Sequence, residues 1–326
     1  MIICRTPLRI SIGGGGTDLP SYYRQYGGFV IAAAINKYIF IGANRIFTKE
    51  YVVKYSSQER VANAAEIQHP IFREAFQLLE VPPAVEVVSL ADIPAGTGLG
   101  SSGSFTVGLV RTLHALRHEY VSAAQVAEEA CHIEVDRLKQ PSGKQDQYAA
   151  SFGGVNCYEF DREGKATVSK LKLSVDALGH LEDHLLMFFT GYSRSSETLL
   201  SDQKKKTEQG DGSMIDNLHF IKEIGTATRQ ALESNDFAGY GRLMHEHWLH
   251  KRKRSSGMSN ASIDSWYEAG TKAGALGGKL IGAGGGGFLL FYTEEPRRLR
   301  DAMAQAGLEE VRFQFDHEGS TIISRN

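Results

Sequence analysis

The chain has 326 residues, with 42% apolar and 10% aromatic residues, which is enough to bury one large core or two smaller ones and excludes a disordered or peptide-like chain. Thirty-six Lys plus Arg stand against 38 Asp plus Glu. That near-neutral balance makes no field for nucleic acid or an anionic membrane surface, so a charged ligand has to be met by a local site.

In residues 3–12, Ile3, Leu8, Ile10 and Ile12 predict a strand that stops at four glycines. Residues 29–35, 38–47, 51–55 and 85–90 are rich in β-branched and aromatic side chains and predict further strands. After the Gly/Ser segment 96–103, Phe105, Leu109, Val110, Leu113 and Leu116 recur at helical spacing, and Ser122 with Gln125 reads as a capping box opening a helix to about residue 139. Strand character returns at 155–160 and 185–190, and the polar run SDQKKKTEQGDGS, 201–213, predicts a mobile boundary loop. Beyond it, Ile215, Leu218, Ile221 and Leu232 mark one helix, 237–250 a second, and Ile263, Trp266 and Ala273 a third, capped by Asn260. Strands at 288–292 and 311–315 enclose a helix near 296–306. That mixture implies an α+β second domain; the division expected is 1–190 and 191–326.

Cys4, Cys131 and Cys157 are scattered and lack C-x-x-C spacing, which suits a reducing compartment. Arg5 and Arg9 interrupt the stretch a signal peptide would need, and no run approaches about 18 apolar residues. A cytoplasmic location is expected.

Three segments carry chemistry. PAGTGLGSSGS, 94–104, combines glycines that let the main chain approach a ligand with free N–H groups at a helix start, which attract phosphate. It lacks the Lys of a Walker A loop, and a plain turn capped by Ser101 reads equally well. GAGGGGFLLFY, 282–292, holds five glycines in six positions, costly to order unless close packing or a ligand requires them; a tight turn is the alternative. Neither this cluster nor 13–16 fits a dinucleotide fingerprint. GKQDQYAASFGG, 143–154, reads as a loop bearing Asp146, a residue that in a polar loop is more often a solvated charge. His245, Glu246, His247 and His250 spell H-E-x-x-x-H, one residue too long for a zinc helix, and are assigned surface or packing roles.

Taken in chain order, PLRISIGGGGTDLP, PAGTGLGSSGS, GKQDQYAASFGG and IGAGGGGFLLFY resemble the GHMP kinase superfamily over nearly the whole chain. Within it, TPLRISIGGGGTD, GGFVIAAAINKY, KQDQYAASFGG and Trp248 followed by basic residues 251–254 look most like the bacterial D-glycero-D-manno-heptose 7-phosphate kinases. The resemblance implies an α+β fold, with a ribosomal protein S5 domain 2-like N-terminal domain and a ferredoxin-like C-terminal domain. It also implies ATP and Mg²⁺ as cofactors, a sugar phosphate as acceptor, no nucleic-acid or membrane partner, and a monomer or homodimer.

By the same resemblance Asp146 takes or polarises the proton of the attacking hydroxyl, with Arg9 paired to it and Arg5 as a weaker competitor. Pro94, Gly96, Gly98 and Leu99, with Gly100, Ser101, Ser102 and Gly103, would cradle the ATP phosphates. Ser102 and Glu134 would hold Mg²⁺, with Asp136 and Glu129 as rival ligands. Gly15, Gly16, Thr17 and Asp18, with Gly284 and Gly285, would meet the substrate, although Asp18 could instead cap a helix at 19–26. Arg194 and Lys251, the latter in a basic cluster with Arg252, Lys253 and Arg254, would face the substrate phosphate; such a run is also the ordinary end of a solvated helix. Another acceptor, such as fucose, galactose or an isoprenoid precursor, and a non-catalytic sugar- or nucleotide-binding regulator remain the alternatives.

Overall fold

The computed structural model describes residues 1–191, 197–255, 257–282 and 284–325. In chain order the first half supplies β1 (Ile2–Gly14), α1 (Pro20–Tyr26), β2 (Gly28–Arg45), β3 (Tyr51–Lys54), β4 (Gln58–Val61), α2 (Pro70–Leu78) and β5 (Val85–Ala91). It continues through α3 (Ser101–Leu116), α4 (Ala123–Cys131), α5 (Gln145–Phe152), β6 (Val155–Phe160) and β7 (Ala166–Lys170). Then follow α6 (Val175–His184), β8 (Leu185–Phe189), α7 (Glu197–Glu208), α8 (Gly212–Glu233), α9 (Phe237–Arg252) and α10 (Ala261–Lys272). β9 (Ala275–Leu280), β10 (Phe288–Thr293), α11 (Pro296–Gln305), β11 (Glu309–Glu310) and β12 (Thr321–Arg325) complete the order.

One sheet runs β12-β1-β2-β5-β3-β4, with β6 on β2 and β7 on β6; the other runs β11-β8-β10-β9. Among the described residues every strand pairing is antiparallel except that of β3 with β5. β8, before the division expected at residue 190, belongs to the second sheet, and β12 belongs to the first. From Thr6 onward β1 is buried throughout, because β12 and β2 flank it and α3, α5 and α8 pack on it.

The strands read at 29–35 and 38–47 are one strand. The polar Asn36-Lys37 break is a bulge, seen as a register shift opposite Pro7 and Leu8. The mobile loop read at 201–213 is instead mostly helix: α7 covers Glu197–Glu208 and α8 starts at Gly212. Its buried stripe is Leu199, Gln203 and Thr207, spaced by four but two-thirds polar, so no apolar period shows. The strand read at 311–315 is reduced to Glu309–Glu310, and Phe315 makes an isolated bridge to Ile35.

The main core lies between the first sheet and α3, which is buried over most of its surface. A second core gathers Trp248, Tyr267 and Phe291 under the second sheet. Cys4, Cys131 and Cys157 are buried free thiols. Among the described residues no helix is long and apolar enough to cross a membrane.

Candidate active site

α3 and α5 begin side by side. A Cβ built on Gly103, in the first turn of α3, would come 2.7 Å from the Asp146 Cβ in the first turn of α5. Only a glycine allows that approach. The segment read as a carboxylate-bearing loop is therefore a helix, closed by Gly153 at φ 66°, a C-terminal glycine visible in the sequence.

The helix pair holds Asp146 against β1. Arg9 donates from Nε to Asp146 Oδ1 at 2.7 Å and approaches the same oxygen with its second terminal nitrogen at 2.6 Å. Its remaining terminal nitrogen donates to the Gly98 carbonyl. Arg9 is 7% exposed at its side chain and Asp146 31%, so the carboxylate is oriented from behind and open in front. Arg5 turns elsewhere, to Glu318 and over the Tyr38 ring.

Glu134 lies next to this pair and is only 1% exposed. It gets there because α4 widens into a π-helical turn over His132–Arg137, not the regular helix to residue 139 that the sequence predicts. Such turns re-aim side chains inward. Ser102 Oγ donates to Glu134 Oε1 at 2.7 Å and Thr106 Oγ1 to the same atom at 2.6 Å, while Gln147 donates to Oε2. Burial pushes the Glu134 carboxyl up, against the pull of these donors. The rival carboxylates are engaged elsewhere, Glu129 with His114 and Asp136 with His132.

The two glycine clusters meet backbone to backbone. A Cβ on Gly98 would lie 2.6 Å from the Ile281 carbonyl oxygen, and one on Gly282 would lie 2.5 Å from the Gly98 Cα. Close packing between loops is thus the requirement behind both clusters. Gly96, Gly98, Gly100, Ser101 and Ser102 line a cleft of about 680 Å³ between the two sheets, and the buried Ser101 hydroxyl has no partner. Pro94, Leu99 and Gly103 support this loop from outside the cleft: the Pro94 carbonyl accepts from Thr97, and that of Leu99 from the Arg9 N–H.

Gly15, Gly16, Asp18 and Gly284 also line the cleft. Thr17 does not; its hydroxyl is occupied by the Phe29 backbone N–H and carbonyl. Gly285 donates its N–H to the Met258 carbonyl. Asp18 accepts from the backbone N–H groups of Gly16 and Gln145 and caps nothing in α1. Burial, with Asp146 nearby, pushes its carboxyl up.

Of the basic cluster, Lys251 and Arg254 are buried on the cleft while Arg252 and Lys253 are exposed. Arg194 lies outside the described residues. His247, assigned to surface or packing, is buried on the cleft wall, and burial among cations pushes it well below its ordinary value. Sequence reasoning missed Lys279, on β9, which is 2% exposed and donates to the Ile12 carbonyl at 3.1 Å. Gly277 and Gly278 hid that strand; the available signal was a lysine inside an otherwise apolar stretch just before a glycine cluster.

Residues 53–154 match the model of the GHMP kinases N-terminal domain and residues 228–309 that of the GHMP kinases C-terminal domain, together more than half the chain. The D-glycero-alpha-D-manno-heptose 7-phosphate kinase of Campylobacter jejuni is 29% identical over 309 residues, covering 90% of both chains. A crystal structure of a D-glycero-D-manno-heptose 1-phosphate kinase from Bacteriodes thetaiotaomicron superposes with a TM-score of 0.81 over 100% of both chains at 24% identity. That of a sugar kinase from Campylobacter jejuni gives 0.77 at 26% identity, over 99% of this chain and 98% of that one.

Proposed function

Because the chain belongs to the GHMP kinases and is an ATP-dependent phosphotransferase, we propose that it phosphorylates the anomeric hydroxyl of D-glycero-D-manno-heptose 7-phosphate, giving the 1,7-bisphosphate and ADP. The observation that carries this reading is the Arg9–Asp146 pair placed at the common start of α3 and α5, within one cleft with the Ser/Gly loop and Asp18. The name of the Campylobacter jejuni relative supports the choice of acceptor.

Phosphoryl transfer asks for an aligned nucleophile and neutralised charge more than for covalent help. The acceptor hydroxyl would sit against the open face of Asp146, which receives its proton as the O–P bond forms and ADP leaves. Arg9, permanently charged, holds the carboxylate in place and offsets negative charge beside the developing alkoxide. Asp18, with two oxygens fixed by backbone donors, suits the sugar hydroxyls. The unpartnered Ser101 hydroxyl and the free N–H groups at the start of α3 suit the nucleotide phosphates. At the other arm of the cleft, Tyr55, Ile71, Leu90, Ile93 and Phe105 offer an apolar wall for the base.

Ser102 and Glu134 fit Mg²⁺ as hard-oxygen donors. Among the described residues no three His, Cys, Asp or Glu side chains form a self-contained site, so nucleotide oxygens and water would fill the other positions. When bound, the ion supplies charge neutralisation on the phosphates.

An ADP-release assay with heptose 7-phosphate, free heptose, fucose, galactose and mevalonate tests the reading. Turnover should be highest with heptose 7-phosphate. If that compound is inert while another acceptor turns over, the assignment of the acceptor fails.

A further inference from the structure

The part of the cleft lined by the end of α9 and by β9 holds more positive charge than the chain itself balances. Arg254 is 8% exposed and Lys279 2%. Arg254 reaches Asn217 Oδ1 and Gln203 Oε1, each at 3.1 Å, and its remaining terminal nitrogen is buried with no partner at all. Lys279 meets the Ile12 carbonyl, and Lys251, 8% exposed, meets the carbonyls of Leu280 and Gly282. Among the described residues neither lysine has a carboxylate within ion-pair distance. Cations removed from water without a counter-charge are costly to keep, and a cleft that keeps them is shaped for an anion.

We infer that Arg254 and Lys279, with Lys251, form a subsite for the dianion of a phosphate monoester carried by the acceptor. The inference rests on the acceptor reading above and deepens it. Position separates this subsite from the nucleotide's phosphates. Arg254 lies against the GGGG loop, where a Cβ on Gly16 would come 2.7 Å from its terminal nitrogen, and Gln203 bridges the Gly16 carbonyl to that guanidinium. Lys279 is anchored on β1. Both therefore flank Asp18 and the glycine loop of β1, whereas the Ser101 and Ser102 hydroxyls belong to the other loop. Lys251, through Gly282, stands between the two.

The guanidinium fork matches a phosphate's paired oxygens. The charged groups that act on Lys279 are Arg9, Lys251 and His247, all basic; Arg254 acts on Lys251 and His247 in turn, with Asp18 as the carboxylate facing Arg254. Burial first, and Arg9 second, bring Lys279 down to about 7. A bound dianion reverses that penalty, so binding near neutral pH should draw a proton onto the site.

The test combines calorimetry with kinetics on the full chain. Inorganic phosphate is titrated into the wild type, Arg254→Met and Lys279→Met in two buffers of different ionisation enthalpy at pH 7.5. The KM values for heptose 7-phosphate, free heptose and ATP are measured on the same proteins. Lys279→Met removes a buried charge in favour of a side chain of similar length, so it should fold even if Arg254→Met does not. The subsite predicts saturable phosphate binding with proton uptake in the wild type, lost in both variants. It also predicts a KM for heptose 7-phosphate raised about 10²-fold in Arg254→Met, with the KM for ATP changed less than threefold. No saturable phosphate binding, or a rise confined to the KM for ATP, overturns it. A wild type that turns over free heptose but not its 7-phosphate refutes the acceptor named above; phosphate binding lost in both variants would still uphold the anion subsite.

Discussion

Where α3 and α5 begin, each charged group has an answering partner: Arg9 faces Asp146, and the Glu134 carboxylate collects Ser102, Thr106 and Gln147. Under α9 and β9 the cations Lys251 and Lys279 face only backbone carbonyls, and Arg254 faces side-chain amides. A self-balanced region is set before a ligand arrives. An unbalanced one is completed by its ligand, and its protonation follows that ligand's arrival.

The largest effect should come from breaking the balanced end. Asp146→Asn keeps the shape while removing the proton acceptor, and the rate of ADP release should fall by roughly 10³-fold, with nucleotide affinity by calorimetry within threefold of the wild type. Unchanged turnover would remove Asp146 from the chemistry. Next, Gly103→Ala forces a methyl group onto Asp146. A displacement on the order of 1 Å should cost about 10²-fold in kcat, and the overlap with the Asp146 main chain should lower the thermal midpoint by several degrees, measured by steady-state kinetics beside differential scanning calorimetry.

The unbalanced end should show itself through pH. Lys279 is held down near 7, so its charge is present below that pH and lost above it, while the phosphate monoester is fully dianionic only above about pH 6. The KM for heptose 7-phosphate should therefore pass through a minimum between about 6 and 7. Above it, KM should climb up to tenfold per pH unit, and Lys279→Met should flatten that limb. A KM that stays level to pH 9 in the wild type would detach Lys279 from the acceptor. The smallest effect belongs to Arg252→Ala: Arg252 points outward to Asp264, and every KM should stay within twofold.

The same contrast explains what the sequence reveals. The balanced end is carried by contiguous segments: Arg9, Ser102 and Asp146 each sit inside a run whose glycines and hydroxyls announce a special backbone. The core helices and most strands were equally legible, because their apolar spacing is regular. The unbalanced end draws Gln203 from α7, Arg254 from just past α9 and Lys279 from β9; Gln203 and Arg254 have no local pattern that separates them from solvated neighbours, and Lys279 is marked only by the apolar stretch around it. Lys251 and Arg254 turn inward while Arg252 and Lys253, between them, do not; helical phase and tertiary packing decide that. Glu134 was legible as a residue, but the π-helical turn that aims it was not, since one extra residue in a turn leaves no compositional mark. α7 stayed hidden because Gln203 and Thr207 occupy its buried stripe.

Gly98 and Gly282 touch through their main chains. A packed core can be tuned a methylene at a time, each step absorbed by neighbouring rotamers. Here peptide meets peptide with no side chain between them, and the smallest available replacement is already larger than the gap. That joint has no intermediate settings: point substitution can leave it whole or wedge it open, so gradual adaptation of this enzyme has to proceed through the side chains around it.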